Sequence, residues 1–545
     1  MHHVTHRQHP QGLLEQGSSS REKKTEAKRL LIEGCALLAP GQAGGVLHNQ
    51  DVLIIGKYIR DCGPSGTLCY DAQEIDQVID GQGRLAMAGL INAHSHSLEN
   101  VLQATSPSLP LELWLVPLFS DIIDWSPRLV YLSTLLGAIE MLKTGTTAVL
   151  DHLWTPDAVS EEYLYAAMQA YRDAGIRAAV APSIEDRDLV LEAGAKRGII
   201  FPHHPFIDRF ESWPAIDEQV ETLARFMTNW HNTENGRLRC LVGPSGIHWC
   251  SDALLHTCRD LAEHYATGMH LHAVETALQA KVIHELLGEG GINYLSKMHI
   301  LKPGTSLAHA IWLEGDDLEL LAQTGTTLVH NPISNLRLGS GRFPLVEALN
   351  KGVRVALGSD GSASNDTQNM FEVLKFTGLI HNQEDCDYKK WPYPVDILRA
   401  ATCGGAEALG MAEELGKIAP GQLADITLLD LKNSLFLPLR DAHLHLVYCE
   451  QGGSVDTVIV NGELVMEQGT LLTVDERSIK EEMRELARSR GLSFSAALDS
   501  VENTREVLVK LDTLRRLILQ QGKEHMHGRL SAQIRAAEHR RAARV

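Results

Sequence analysis

Along the middle of this chain, apolar and β-branched residues fall in eight short runs. Six of them end in a polar residue, and each is followed by a stretch with helical spacing. The runs are AGLINAH, TTAVLDH, IRAAVAPS, RCLVGPS, GMHLHAV, TSLAHAI, GTTLVHN and VRVALGSD. Runs this short, bounded by turn residues, read as buried strands. Strand and helix alternating in this way predict an α/β fold, a (β/α)₈ barrel over residues 87–417. An open doubly wound sheet is the alternative, but no G-x-G-x-x-G turn opens the first unit.

The flanks read differently. Over residues 27–86, β-type runs such as DVLIIG and QEIDQVID alternate with Gly and Pro turns. Over 418–475 come QLADITLLDL and VDTVIV-NG-ELVME, whose Asn461-Gly462 pair signals a type I′ hairpin. Residues 1–26 are polar and His-dotted, expected as a disordered tail whose His2, His3, His6 and His9 are solvated. Residues 476–545 carry a helical pattern that turns basic, expected as a solvated helical extension.

Composition narrows the function classes. At 545 residues the chain is too long for one simple core. A net charge of −19 argues against a general nucleic-acid binder, which needs a basic face. No apolar run reaches membrane-spanning length, and the first residues lack an export-type apolar core. Nine cysteines, an odd number with no C-x-x-C pair, read as reduced thiols in the cytoplasm. The expected partner is a small-molecule substrate.

The chemistry sits at the strand ends. His94 and His96 end the first run, His272 the fifth with Glu275 just beyond, His309 the sixth and Asp360 the eighth. Ends of successive parallel strands converge on one mouth, so these residues can share one cation. An H-x-H pair alone says little, because random placement of 26 histidines yields about one. Of the others, His443/His445 fall outside the barrel and His525/His527 in the tail, so both read as incidental. His270 shares strand parity with His272 and reads as a packed residue supporting a ligand.

GLINAHSH, LELWL, KTGTTAVLD, HLHAVET, LAHAIWL, HNPISNLRLGSG, GSDGSASND, GKIAPGQLADI and VIVNGELV appear in that order over residues 29–475. In these motifs the chain resembles the amidohydrolase superfamily, in the branch of triazine hydrolases, cytosine-deaminase-like enzymes and nucleoside deaminases. The resemblance implies that the β-rich flanks form a composite β-sandwich beside the barrel. It implies metal ligands at His94, His96, His272 and Asp360, with Glu275 as proton shuttle and His309 polarising the oxygen of the tetrahedral intermediate. It also implies homo-oligomerisation. One departure is Met87-Ala88-Gly89-Leu90, where the family has Pro before Gly-Leu. The fourth run, RCLVGPS, has no Lys to bridge two metals, so one divalent ion is expected: Zn²⁺, with Fe²⁺ as the alternative.

For the substrate side, Trp114 in LELWL is placed to stack on a flat ring. Asn331, Ser334 and Asn335 after the seventh run and Ser364 and Asn365 after the eighth are polar candidates, although helix capping also explains them. His248 and Trp249 are weaker candidates, and Asp121 or Asp124 stands near where nucleoside deaminases carry a sugar-binding acid. The expected function is metal-dependent hydrolysis releasing an amine or other leaving group from an N-heteroaromatic ring (purine, pterin, pyrimidine or triazine). The alternative is hydrolysis of a non-ring amide, urea or carbamate. A non-enzymatic metal scaffold is disfavoured by the intact ligand set.

Overall fold

The computed structural model describes residues 27–39, 41, 43–105, 108–119, 123–156, 158–383, 387–490 and 503–520. The N-terminal tail, His525/His527 and the end of the basic stretch lie outside them.

The eight runs fold as Leu90–Ser95, Thr146–Asp151, Arg177–Val180, Leu238–Cys240, Met269–Ala273, Thr305–His309, Thr327–His330 and Arg354–Leu357. The first four pair in parallel in chain order, and so do the last four. Parallel bridges from Val242 to Met269 and from Gly246 to His272 join the two halves. On the other side the Asp360 amide donates to the His94 carbonyl at 2.9 Å, bringing the eighth strand's end onto the first. The result is the expected (β/α)₈ barrel. Strand residues alternate between two cores, as a period of two requires. Ala148, Leu150, Ala179, Ala181, Val329 and Ala356 share one buried cluster. Val149, Ala178, Val180, Leu271, Leu307 and Leu328 belong to another, with residues of the surrounding helices.

The flanks meet in one nine-stranded sheet. Its seam is an antiparallel pairing of Arg84–Ala88 with Ile426–Asp430, running from Ala88↔Ile426 to Arg84↔Asp430. Residues far apart in sequence therefore share a core that includes Leu30, Ile32, Val52, Ile54, Ala86, Ile426 and Ile459.

After the sheet, helix Glu476–Arg490 lies beside helix Pro127–Lys143, with Lys143 Nζ 2.9 Å from Glu476. A helix over 504–520 follows, and it is not a solvated arm. Val507, Leu511, Leu514 and Ile518 are buried, because its apolar stripe lies on the loops at the barrel mouth. Lys510 Nζ donates to the Ile200 carbonyl at 2.6 Å, and Lys281 Nζ to the Leu519 carbonyl at 3.2 Å. No helix among the described residues is long and apolar enough to cross a membrane.

Candidate active site

The polar strand ends converge. Ligand atoms of His94, His96 and Asp360 all lie within 4.8 Å of one another, and so do those of His94, His152 and His272. His94 Nε2 and His96 Nε2 stand 3.4 and 3.3 Å from Asp360 Oδ1. His309 Nε2 lies 3.6 Å from Asp360 Oδ2 and 3.7 Å from Glu275 Oε2. His96 and His272 are half-buried, and the other side chains are essentially cut off from water.

The backbone here is unusual for its residue types. Val274, His309, Ala310 and Asp360 all have positive φ, at 39°, 68°, 44° and 68°. Side chains disfavour that region, and such conformations gather where a site dictates geometry. Gly361 follows Asp360, and a Cβ there would stand 1.8 Å from Glu99 Oε2, so only glycine lets the eighth strand's turn approach that carboxyl.

Hydrogen bonding on the far side of each ring fixes what the near side offers. His96 Nδ1 donates to the His152 carbonyl and His272 Nδ1 to the Ser245 carbonyl, both at 2.6 Å. His94 Nδ1 meets His270 Nε2 at 2.8 Å, and His270 Nδ1 meets Ser306 Oγ at 2.7 Å. A ring with its proton on Nδ1 presents a bare lone pair at Nε2. His96 Nε2 and His272 Nε2 face each other at 3.4 Å. Two facing lone pairs repel unless a cation lies between them, so the donor set fits a divalent metal.

Electrostatics agree. Burial pushes His94 down to about 4, and burial with the neighbouring rings takes His152, His270 and His272 well below the ordinary histidine value. They are neutral and ready to coordinate. Burial opposes ionisation of Asp360, but the His94, His309 and His96 rings outweigh it and hold the carboxyl well below its usual range. At His96 burial works against a proton, but the Glu99 and Asp360 carboxylates prevail and raise its pKa. The same carboxylates favour a metal cation among these rings.

Glu275 is buried, with its pKa raised by that burial. Its Oε1 accepts from Ser340 Oγ at 2.8 Å, leaving Oε2 toward His309. His309 Nδ1 donates to Asn335 Oδ1 at 2.8 Å. Above these groups opens a cavity lined by His96, His272, Glu275, His309 and Asp360 on its floor, with Trp114, Trp154, Phe206, Trp213 and Trp249 on its walls.

Among the substrate candidates, Trp114 and Ser364 line this cavity. Asn331 does not. It is fully buried, with Nδ2 3.4 Å from both ring nitrogens of His309. His248 stands behind Trp249, their rings 4.1 Å apart, and it is Trp249 that faces the cavity. Asp124 is not among the lining residues, and Asp121 lies outside the described ones. Sequence reasoning missed His152, although it ends the second run in TTAVLDH as His94 ends the first. It also missed Glu99, five residues after His94, which burial pushes up to about 7. Arg209, Glu185 and Trp154 were equally unforeseen.

The sequence profile of the amidohydrolase family matches residues 85–465. The chain belongs to the amidohydrolase family. A 5-methylthioadenosine/S-adenosylhomocysteine deaminase of Pelotomaculum thermopropionicum is 30% identical over 84% of this chain and 98% of its own length. A 5'-deoxyadenosine deaminase of Methanothermobacter thermautotrophicus is 32% identical over 83% of this chain and 96% of its own. Among solved structures, the zinc complex of the atrazine chlorohydrolase TrzN from Arthrobacter aurescens superposes with a TM-score of 0.75 at 26% identity, covering 84% of this chain and 99% of that one. A zinc-bound adenosine deaminase from Xanthomonas campestris gives 0.73 at 25%, covering 85% and 99%. This amidohydrolase is a metal-dependent enzyme that hydrolyses carbon–nitrogen bonds other than peptide bonds.

Proposed function

We propose that the enzyme removes the exocyclic amine from an aminated N-heteroaromatic ring of purine type, using one Zn²⁺ held by His94, His96, His272 and Asp360. Water adds to the amine-bearing ring carbon, the C–N bond breaks, and ammonia leaves as a carbonyl forms. The bound ion supplies Lewis acidity, lowering the pKa of a water to about 7. Asp360, kept ionised by the surrounding rings, takes the proton of the attacking water. Glu275 holds a proton at Oε2, its Oε1 being engaged by Ser340, and gives it to a ring nitrogen. The proton taken up by Asp360 goes to the departing amine, and the hydroxyl proton freed as the carbonyl forms restores Glu275. His309, fixed by Asn335 and backed by Asn331, polarises the developing oxygen. Trp114 and Ser364 contact the ring from the cavity wall, and His248 acts only by backing Trp249.

The observation that carries this reading is the placement of Glu275. A buried carboxyl with raised pKa stands at the edge of the imidazole cluster, beneath a cavity walled by flat aromatic side chains. Flat walls suit a flat substrate. The deaminase relatives, matched over nearly their whole length, support the purine-type ring. We place the enzyme in the cytoplasm, where its free thiols remain reduced, and as a homo-oligomer.

The test pairs ammonia release from a panel of aminopurines and their nucleosides with metal analysis. Glu275→Gln is expected to keep a full complement of metal and lose roughly 10²–10⁴-fold in kcat. Near-full turnover by that variant, or release of amine only from non-ring amides, would reject the proposal.

A further inference from the structure

The charges around the cavity, rather than its shape, delimit the substrate further, taking the ring-amine reading as given. Carboxyl groups of Glu99, Glu185, Glu275 and Asp360 line it, and among the described lining residues Arg209 is the single Lys or Arg. An arginine in a substrate cavity ordinarily serves as an anion clamp, because its planar fork matches a carboxylate or phosphate. Here the fork is already engaged by the protein. Arg209 Nε donates to Glu185 Oε1 at 3.0 Å, Nη2 to Asp188 Oδ2 at 2.9 Å and Nη1 to the Phe206 carbonyl at 2.7 Å. The side chains of Arg209, Glu185 and Asp188 are 5%, 9% and 5% exposed. Trp249 Nε1 holds Asp188 Oδ2 in place at 3.3 Å.

An incoming anion could take the two-pronged Nε/Nη2 edge only by displacing one of these buried carboxylates and leaving it unpaired, which is among the costliest changes a protein interior can undergo. Arg209 with its two partners leaves that wall with a net negative charge. The approach is of the same sign. Arg209 and Trp213 also line an outer cavity, where the further charged residues are Asp208 and Glu211, with His203 against Asp208.

We infer that this site takes neutral or cationic aminoheteroaromatics and rejects those carrying a carboxylate or phosphate, with the Glu185–Arg209–Asp188 triad as the specificity determinant.

The test uses the metal-loaded, full-length enzyme and matched pairs sharing one ring: adenosine against adenosine 5'-phosphate, and adenosine against adenosine-5'-carboxylate. The neutral member is expected to lead by about 10²-fold or more in kcat/KM, since like-charge juxtaposition is strongly penalised. Calorimetric binding to Glu275→Gln should show the same preference without turnover. Glu185→Gln and Asp188→Asn, each checked for fold by circular dichroism, should narrow the gap at least about tenfold by releasing donors of Arg209. If a variant does not fold, the wild-type pairs still decide. Equal binding of the anionic members overturns the inference while leaving ring deamination intact. Absence of ammonia from every ring amine, with the binding preference present, overturns the deaminase reading and leaves the charge selection standing. Binding of neither member overturns both.

Discussion

Two clusters of buried polar groups sit at opposite ends of the barrel strands, and they differ in how completely their hydrogen bonds are matched. At the start of the third strand, Arg177 and Asp425 are each 1% exposed. Both Arg177–Asp425 contacts are 2.8 Å, Nη2 also reaches Asn461 Oδ1 at 2.9 Å, and Nη1 reaches the Gly236 carbonyl at 3.2 Å. The Asn461 amide returns a bond to Asp425 Oδ1 at 2.8 Å, which ties the Asn461-Gly462 hairpin of the flanking sheet to the barrel. Every charge there has a partner in the protein. At the other end the imidazoles turn bare nitrogens toward one another, and His152 Nδ1 has no partner among the described residues. Closed polar networks hold a fold together, whereas facing lone pairs are arranged around a charge that comes from outside.

The contrast is broken most forcefully with acid. Four rings of the cluster (His94, His152, His270 and His272) have folded-state pKa values lowered from 6.5, to about 4 for His94, with burial as the main cause. The folded protein therefore binds fewer protons than the unfolded chain between these values. Stability that is present above 6.5 is lost as pH falls toward 4. His94 alone contributes on the order of 3 kcal/mol at about 1.4 kcal/mol per pH unit. Glu99, raised to about 7, acts with the opposite sign, as do the raised His96, Glu275 and Asp151, but His248, lowered to about 4, and His330, lowered well below 6.5, add to the four rings. Chelator-treated protein should unfold at a clearly lower temperature at pH 5 than at pH 7. An equal or higher midpoint at pH 5 would sink the claim that these rings are held neutral.

At the closed network the expected effect is on stability alone. Asp425→Ala strands the Arg177 guanidinium in the interior, and breaking a buried pair from one side costs roughly 3–5 kcal/mol. Denaturant unfolding reads that loss directly. Metal content and kcat at a temperature where the variant remains folded should match wild type. A variant that also lost its metal would show the two clusters to be coupled.

How much of each cluster was legible in the sequence follows from how local its signals are. The strands and His94, His96, His272, His309 and Asp360 could be read because a short β-branched run with a polar residue at or near its end is a local pattern that recurs along the barrel. Arg177–Asp425 could not, since its partners are 248 residues apart and neither stands out by composition. The triad at Arg209 was hidden for the same reason, its carboxylates lying on a loop without periodicity. His152 was passed over although it ends its run, because it stands one residue beyond the strand Thr146–Asp151 and has no second histidine beside it to mark it as His96 marks His94. His248 and Trp249 show how neighbours on a loop exchange roles: no strand parity fixes which one faces the cavity. The helix over 504–520 was amphipathic in sequence, but sequence gives no sign of the surface that receives an apolar stripe.

His270 lies on the border between the two kinds of cluster. It makes both of its bonds within the protein, to His94 Nδ1 at 2.8 Å and Ser306 Oγ at 2.7 Å, yet its partner is one of the open rings. With its Nε2 accepting, the proton of His94 is fixed on Nδ1 and the Nε2 lone pair points into the cluster. Replacing it by Leu keeps the volume apolar and removes that instruction, so His94 can take the other tautomer and withdraw its donor. Loss of such a supporting partner typically weakens metal binding by about 10–100-fold. Competition with a chromophoric chelator measures this directly, and Ser306→Ala should move in the same direction by less, because it acts one bond further back. Unchanged zinc affinity in His270→Leu would mean that His94 is oriented by packing alone, and the line between closed and open clusters would then have to be drawn elsewhere.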